Sequence, residues 1–142
     1  MKDTCVFCQI ITGALDGNIV FEDDISIAVL DHRPLFPGHC LLLPREHHET
    51  LGDLPDSLIG GFFGNAKLLS QAVEKALGAE GTFIAINNRV SQSVPHLHVH
   101  VVPRRRKDGL KGFFWPRHKY QNDEEMLAVQ AAIQSVVAEM QS

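Results

Sequence analysis

The stretch Val94-Pro95-His96-Leu97-His98-Val99-His100-Val101-Val102-Pro103 alternates histidine with aliphatic residues, and a period of two is that of a β-strand. On a strand His96, His98 and His100 share one face, with alternate side chains roughly 6.5–7 Å apart. Leu97, Val99 and Val101 then turn the other way, into a core. A polar strand face with three chance histidines explains the pattern poorly, because the reverse face is purely aliphatic and histidine is an uncommon residue. Two chemistries fit the row of imidazoles. Histidines at i and i+2 on a strand can reach one metal ion, as in a catalytic zinc hydrolase. Alternatively, a neutral imidazole is a nucleophile near pH 7, and its attack on phosphorus gives a phosphoramidate that water can open. Such a nucleophile needs one ring nitrogen held as a donor, a task a nearby backbone carbonyl can perform. Strand spacing is the same in both cases and does not choose.

Outward from this strand, further strands are expected at Ile19 to Glu22, Ser26 to Leu30, Cys40 to Leu43 and Phe83 to Ile86, each rich in apolar or β-branched residues. Asp23-Asp24 supplies a turn between the first two, and Arg33-Pro34-Leu35-Phe36-Pro37-Gly38 connects to the third. That order reads as an antiparallel meander. From Leu54 to Leu77 the apolar positions follow helical spacing, with Asp53 as candidate cap, Pro55 in the first turn and Gly78 as the stop. A C-terminal helix is expected from about Asp123 to Met140, with Asp123, Glu124 and Glu125 where the macrodipole favours acid. Strands, a long helix, strands and a final helix make an α+β fold, an antiparallel sheet of about five strands in one domain over residues 1–142.

Composition sets the outer bounds. The 142 residues are 44% hydrophobic and 21% charged, ordinary values for a globular chain, and argue against long disorder. With 13 Lys and Arg against 17 Asp and Glu the net charge is −4, so no whole-protein basic field exists to hold nucleic acid or an anionic membrane. No run of 18 apolar residues and no signal-like start occurs, which leads to the expectation of a cytoplasmic protein. Five of the eight histidines fall in two clusters, His47-His48 and the strand. Cys5 and Cys8 are spaced C-x-x-C, a metal or redox pair in a reducing compartment. No strand precedes and no long helix follows, which argues against a thioredoxin-like role. Cys40 reads as a buried strand residue.

The seven positions His96-Leu97-His98-Val99-His100-Val101-Val102 resemble the His-φ-His-φ-His-φ-φ signature of the histidine triad family of nucleotide hydrolases and transferases. Gly38-His39-Cys40-Leu41-Leu42-Leu43-Pro44 resembles that family's Gly-His strand, and the resemblance runs over residues 5 to 104. It implies that His98 attacks the α-phosphate of a purine nucleotide conjugate, is transiently nucleotidylylated, and releases a nucleoside monophosphate when water enters. His100 would contact the phosphate or the departing group, and His39 would support the nucleophile. Gln92 and Ser93 would bind phosphoryl oxygens, Asn87 the phosphate or ribose, and Asp31 would accept the ribose hydroxyls. One position departs from the pattern: Ser91 stands before Gln92 where many members have glycine, a residue suited to a positive φ.

The resemblance also implies a structural Zn2+ held by Cys5, Cys8, His47 and His96, with the carbonyl of His96 still holding the tautomer of His98; His48 competes with His47 for the third place. No organic cofactor is expected, and no carboxylate cluster marks a Mg2+ site. The family commonly forms symmetric dimers through the long helix and a strand, so a homodimer is expected. Arg104-Arg105-Arg106-Lys107 could draw polyanionic substrates, although a solvated strand end explains it better. Phe113-Phe114-Trp115-Pro116-Arg117 could stack on a base or cover a dimer surface, and ordinary packing under the C-terminal helix explains it as well. Val102-Pro103-Arg104 looks more like the branch acting on dinucleoside polyphosphates than the one acting on nucleoside phosphoramidates. Two alternatives stand beside this reading: a zinc-dependent hydrolase with the His-x-His-x-His strand as ligands, and a non-catalytic nucleotide-binding module.

Overall fold

A computed structural model describes residues 4–111 and 116–142. The order is α1 (Val6–Thr12), β1 (Ile19–Glu22), β2 (Ser26–Leu30), β3 (Cys40–Pro44), a 3-10 turn (Leu51–Asp53), α2 (Asp56–Leu77), β4 (Gly81–Ala85), β5 (Val99–Arg104) and α3 (Asp123–Gln141). The five strands form one sheet in the order β1-β2-β3-β5-β4, with every neighbouring pair antiparallel. The α+β expectation therefore holds.

The chain divides into two compact units, residues 1–108 and 109–142. In the first, register assigns side chains to the two faces of the sheet. Leu42 pairs with Val99 and Cys40 with Val101; these residues join Ala28 and Leu97 in a core closed by Phe62, Ala66, Leu69 and Val73 of α2. Those four helix positions recur at intervals of four, three and four, one stripe of an amphipathic helix. The opposite face carries Ile27, Val29, Leu41 and Leu43, covered by Cys5, Phe7, Cys8 and Ile10 around α1. Leu41 pairs with His100, so His100 lies on the α1 side.

Local chemistry explains the junctions. The connection between β1 and β2 is held by Asp23, whose Oδ1 accepts from the N–H groups of Ile25 and Ser26, both at 2.9 Å. Gly38, just before the buried His39, has φ +100°, and a Cβ there would sit 2.1 Å from Cδ1 of Leu77; only glycine fits. Asp53 caps a different element from the one expected. It closes a capping box with Thr50 on the 3-10 turn, and α2 starts after Pro55, which fixes φ at the N-cap but offers no side-chain acceptor. β4 begins two residues earlier than the apolar run suggests, because Gly81 and Thr82 pair with Arg104 and Pro103.

In the second unit, α3 is capped by Asn122, whose Oδ1 accepts from the N–H of Glu125 at 2.8 Å, and Oε1 of Glu125 accepts from the N–H of Gln121 at 3.1 Å. This reciprocal pair, with acid throughout the first turn, is why the helix starts where the sequence places it. Residues 113–115 of the aromatic stretch lie outside the described residues.

Candidate active site

The histidine row is more divided than a strand face would be, because regular pairing of β5 begins only at Val99. His96 and His98 lie on the segment leading into it, both buried. Nδ1 of His98 donates to the backbone carbonyl of His96, two residues back, at 2.8 Å. That bond puts the ring proton on Nδ1 and leaves the lone pair on Nε2. His100 is fixed differently. The N–H of Leu35 donates to Nδ1 of His39 at 3.0 Å, so the proton of the neutral His39 ring sits on Nε2 and is given to Nδ1 of His100, also at 3.0 Å. His100 therefore carries its own proton on Nε2. A nucleophilic nitrogen and an N–H donor thus stand on adjacent rings, whose centroids are 5.0 Å apart.

Burial keeps these rings neutral. It lowers the pKa of His98 against the opposing pull of the His96 carbonyl and Asp31, and lowers His39 against Asp31. His100 is pushed down to about 4 by burial and by the rings of His98 and His39. Neutral imidazole is the form that can attack an electrophile.

The rings open on a cleft of about 290 Å³. His98, His100, Ser93 and Asp31 line it, with His39 behind His100, 3.7 Å from Oδ2 of Asp31. The other wall is apolar: Val6, Phe7 and Ile10 of α1, with Val29 and Leu41 of the sheet. Sequence reasoning missed this wall, although Val6, Phe7, Ile10 and Ile11 have helical spacing between Cys5 and Gly13; Gly13 ends α1 in the left-handed region, φ +83°. A larger groove of about 420 Å³ between the sheet and α2 is lined by apolar residues and Cys40 and is remote from this chemistry.

Gln92 and Asn87 are not among the described residues that line the cleft. Oε1 of Gln92 accepts from the N–H of Arg89 at 2.7 Å and its Nε2 donates to the carbonyl of Glu49 at 2.6 Å, so both ends of the amide fasten the loop. Asn87 follows β4, half-buried. Ser91 adopts φ +62°, the conformation for which glycine is suited.

Among the described residues, two groups of side chains have the makings of a metal site. Ligand atoms of Cys5, Cys8, His47 and His96 lie within 4.8 Å of one another, as do those of Asp31, His39 and His100. In the first, Nδ1 of His96 faces both sulfurs, at 3.4 Å and 3.6 Å, and Nδ1 of His47 is 3.3 Å from the sulfur of Cys8. Nε2 of His96 donates to the carbonyl of Pro44 at 2.9 Å, which frees Nδ1 to ligate. Burial raises the Cys5 thiol, so a divalent cation is what would stabilise a thiolate there. Two sulfurs and two imidazoles suit zinc, and these residues fit it. The second group does not fit: the far nitrogen of His39 accepts a hydrogen bond, so its near nitrogen must keep the proton a metal would displace. His48 is settled elsewhere, 3.0 Å from Glu46. The basic run is engaged as well: Arg104 grips Asp108 through two nitrogens, Arg105 reaches the carbonyl of Leu77, and Arg106 pairs with Glu80.

Comparison with known proteins gives this arrangement a family. The HIT domain model matches residues 12–107. A protein of Arabidopsis thaliana named adenylylsulfatase HINT3 is 35% identical over 112 residues, 78% of this chain; the chain spans 57% of that relative's length. One from Schizosaccharomyces pombe, named adenosine 5'-monophosphoramidase hnt1, is 31% identical over 94% of this chain and 98% of its own. Among solved structures, a Zn-bound histidine triad family protein from Mycobacterium smegmatis superposes with a TM-score of 0.72 and 33% identity, covering 94% of this chain and 97% of that one. The chain with the His96-x-His98-x-His100 row is thus a member of the HIT domain family.

Proposed function

We propose that the protein is a nucleotide hydrolase or transferase working through a covalent nucleotidyl-histidine, with purine nucleotide conjugates as substrates, either dinucleoside polyphosphates or nucleoside phosphoramidates. Relatives named adenylylsulfatase and adenosine 5'-monophosphoramidase support hydrolysis of phosphoanhydride or phosphoramidate bonds of nucleotides. The observation that carries the covalent mechanism is the 2.8 Å bond from Nδ1 of His98 to the carbonyl of His96. With that nitrogen committed, the lone pair of Nε2 forms the bond to the α-phosphorus while the bond from phosphorus to the leaving group breaks. The Nε2–H of His100 hydrogen-bonds a phosphoryl oxygen or the departing group, and His39 holds His100 in the required tautomer. Water then opens the phosphorus–nitrogen bond and nucleoside monophosphate leaves.

Asp31 accepts the ribose hydroxyls in this scheme, the apolar wall of α1 faces the base, and Ser93 binds a phosphoryl oxygen. Asn87 and Gln92 contribute through the loop they belong to. The ring of His96 argues against the three histidines acting as ligands of one catalytic zinc, since it is turned to the cysteines. Zinc held by Cys5, Cys8, His47 and His96 would be structural. A cytoplasmic homodimer completes the proposal, paired through α2 and a strand; exposed Leu68 and Leu77 on α2 and Ile84 on the edge strand β4 support that surface.

The test is release of AMP from diadenosine tetraphosphate and from adenosine phosphoramidate. His98→Ala should lower kcat by ~10⁴-fold or more, with nucleoside monophosphate still bound. Turnover retained in that variant overturns the nucleophile, and nucleotide binding without any turnover in the wild type makes the protein a binding module.

A further inference from the structure

His96 belongs to two arrangements at once, the Cys5, Cys8, His47 cluster through its ring and the nucleophile through its backbone. Within the proposed mechanism, we infer that this cluster is a positioning device for His98: loading it with zinc fixes the His96 carbonyl and the Phe7 ring that together hold the nucleophilic imidazole.

The ring of His96 is buried completely, with Nε2 tied to the Pro44 carbonyl and Nδ1 turned to the two sulfurs. Its backbone is equally constrained. The N–H of His96 donates to the Val94 carbonyl at 2.8 Å, and the next N–H, that of Leu97, donates to the His48 carbonyl at 2.6 Å. The intervening peptide carries the carbonyl that accepts from His98. No flexible link separates the proposed metal ligand from the acceptor that sets the nucleophile's tautomer.

The second route runs through α1. Cys5 caps this helix, its sulfur accepting from the N–H of Cys8 at 3.3 Å, and Phe7 lies between the two cysteines. The Phe7 ring meets His98 edge-on with centroids 5.1 Å apart, and His96 with centroids 5.9 Å apart. A seven-residue helix cannot be stable in isolation, so what anchors its two cysteines also anchors Phe7. Phe7 is thereby a positioning residue, acting on the reaction through His98.

Without the metal, Nδ1 of His96 keeps only its contacts with the two sulfurs, which hold its ring less firmly than bonds to a cation. The His98 imidazole then samples its other tautomer, with the proton on the attacking nitrogen. The loss falls on kcat, because nucleotide is held by other groups.

The experiment records long-range ¹H–¹⁵N correlations of the histidine rings, with kcat and KM, for zinc-loaded protein, for protein stripped by a chelator, and for stripped protein given zinc alone. Loaded protein should show His98 as a single Nδ1–H tautomer. Stripping should average its two nitrogens and lower kcat about 10- to 100-fold with KM changed less than about threefold, and zinc should restore both. Phe7→Leu should keep its zinc and still lose the single tautomer. It decides the matter if stripping unfolds the chain by circular dichroism. Stripped, folded protein with an unchanged His98 tautomer, or Phe7→Leu with the wild-type tautomer, overturns the inference and leaves the cluster a staple of the fold. The ring spectra do not depend on turnover, so absence of hydrolysis in the wild type would defeat the proposed function while this coupling is still read.

Discussion

Replacing His39 by leucine tests the hydrogen-bond relay behind the proposed nucleophile. The imidazole is buried, with its two nitrogens at 3.0 Å from the N–H of Leu35 and from Nδ1 of His100. Leucine fills similar space and removes both partners. Leu35 is exposed, so water recovers most of its bond and that side costs about 0.5–1 kcal/mol; the half-buried Nδ1 of His100 loses its donor at about 1–3 kcal/mol. The sum is about 1.5–4 kcal/mol, a fall of about 0.5–2 M in the urea midpoint for a slope of about 2–3 kcal/mol per M. Chemistry should suffer separately. Without a donor behind it, His100 takes both tautomers, and the fraction offering Nε2–H to the phosphate drops. That alone is a few-fold, and with the loss of ring orientation kcat should fall about tenfold, far less than for His98→Ala. Urea melts followed by circular dichroism and initial rates at saturating substrate give both numbers. His39→Gln, whose side-chain amide can donate to His100, should recover part of kcat. Wild-type kcat in His39→Leu, or no recovery in His39→Gln after loss in His39→Leu, refutes the relay.

Ser91→Gly should stabilise the protein by about 1 kcal/mol, because serine holds φ +62° at a cost glycine avoids; a lower melting midpoint in the variant contradicts this. Phe62→Ala, at a fully buried position between α2 and the sheet, should cost about 3–5 kcal/mol, measurable as a shift of the urea midpoint. His100 gives stability a pH dependence. Its folded pKa of about 4 lies below the ordinary 6.5, so the unfolded chain binds the extra proton. Its contribution is complete above pH 6.5 and is lost as pH falls toward 4, at most about 3 kcal/mol in all. His100→Gln should flatten the stability profile in that window, and an unchanged slope would show that other groups carry it.

Period and punctuation made the sheet legible. Ile19 to Glu22 and Ser26 to Leu30 are read to the residue, because Asp23-Asp24 separates them by turn chemistry that needs no distant partner. β4 is less clear, since Gly81 and Thr82 extend only because β5 lies beside them. α1 went unread although its apolar spacing is present: seven residues are too few for propensity to declare a helix, and its stability comes from packing Phe7 and Ile10 on the sheet. In the site, the row of histidines and the C-x-x-C pair are local signals. Their allotment is not. His47 faces Cys8 while His48 lies against Glu46, a division that two adjacent histidines do not announce. Gln92 holds a carbonyl 43 residues away, a tie that no spacing announces. The basic run looks like an anion site in one dimension, while its three arginines engage Asp108, Leu77 and Glu80 in three.

The central claim is that Nε2 of His98 bonds to phosphorus. Intact-mass measurement of protein mixed with a dinucleoside polyphosphate or an adenosine phosphoramidate, quenched within milliseconds in base to preserve a phosphoramidate, tests it most directly. The account predicts an added adenylyl mass on the wild type, mapped to the peptide containing His98 and absent from His98→Ala. An adenylyl adduct of equal yield in His98→Ala, or one mapped to another residue, contradicts it.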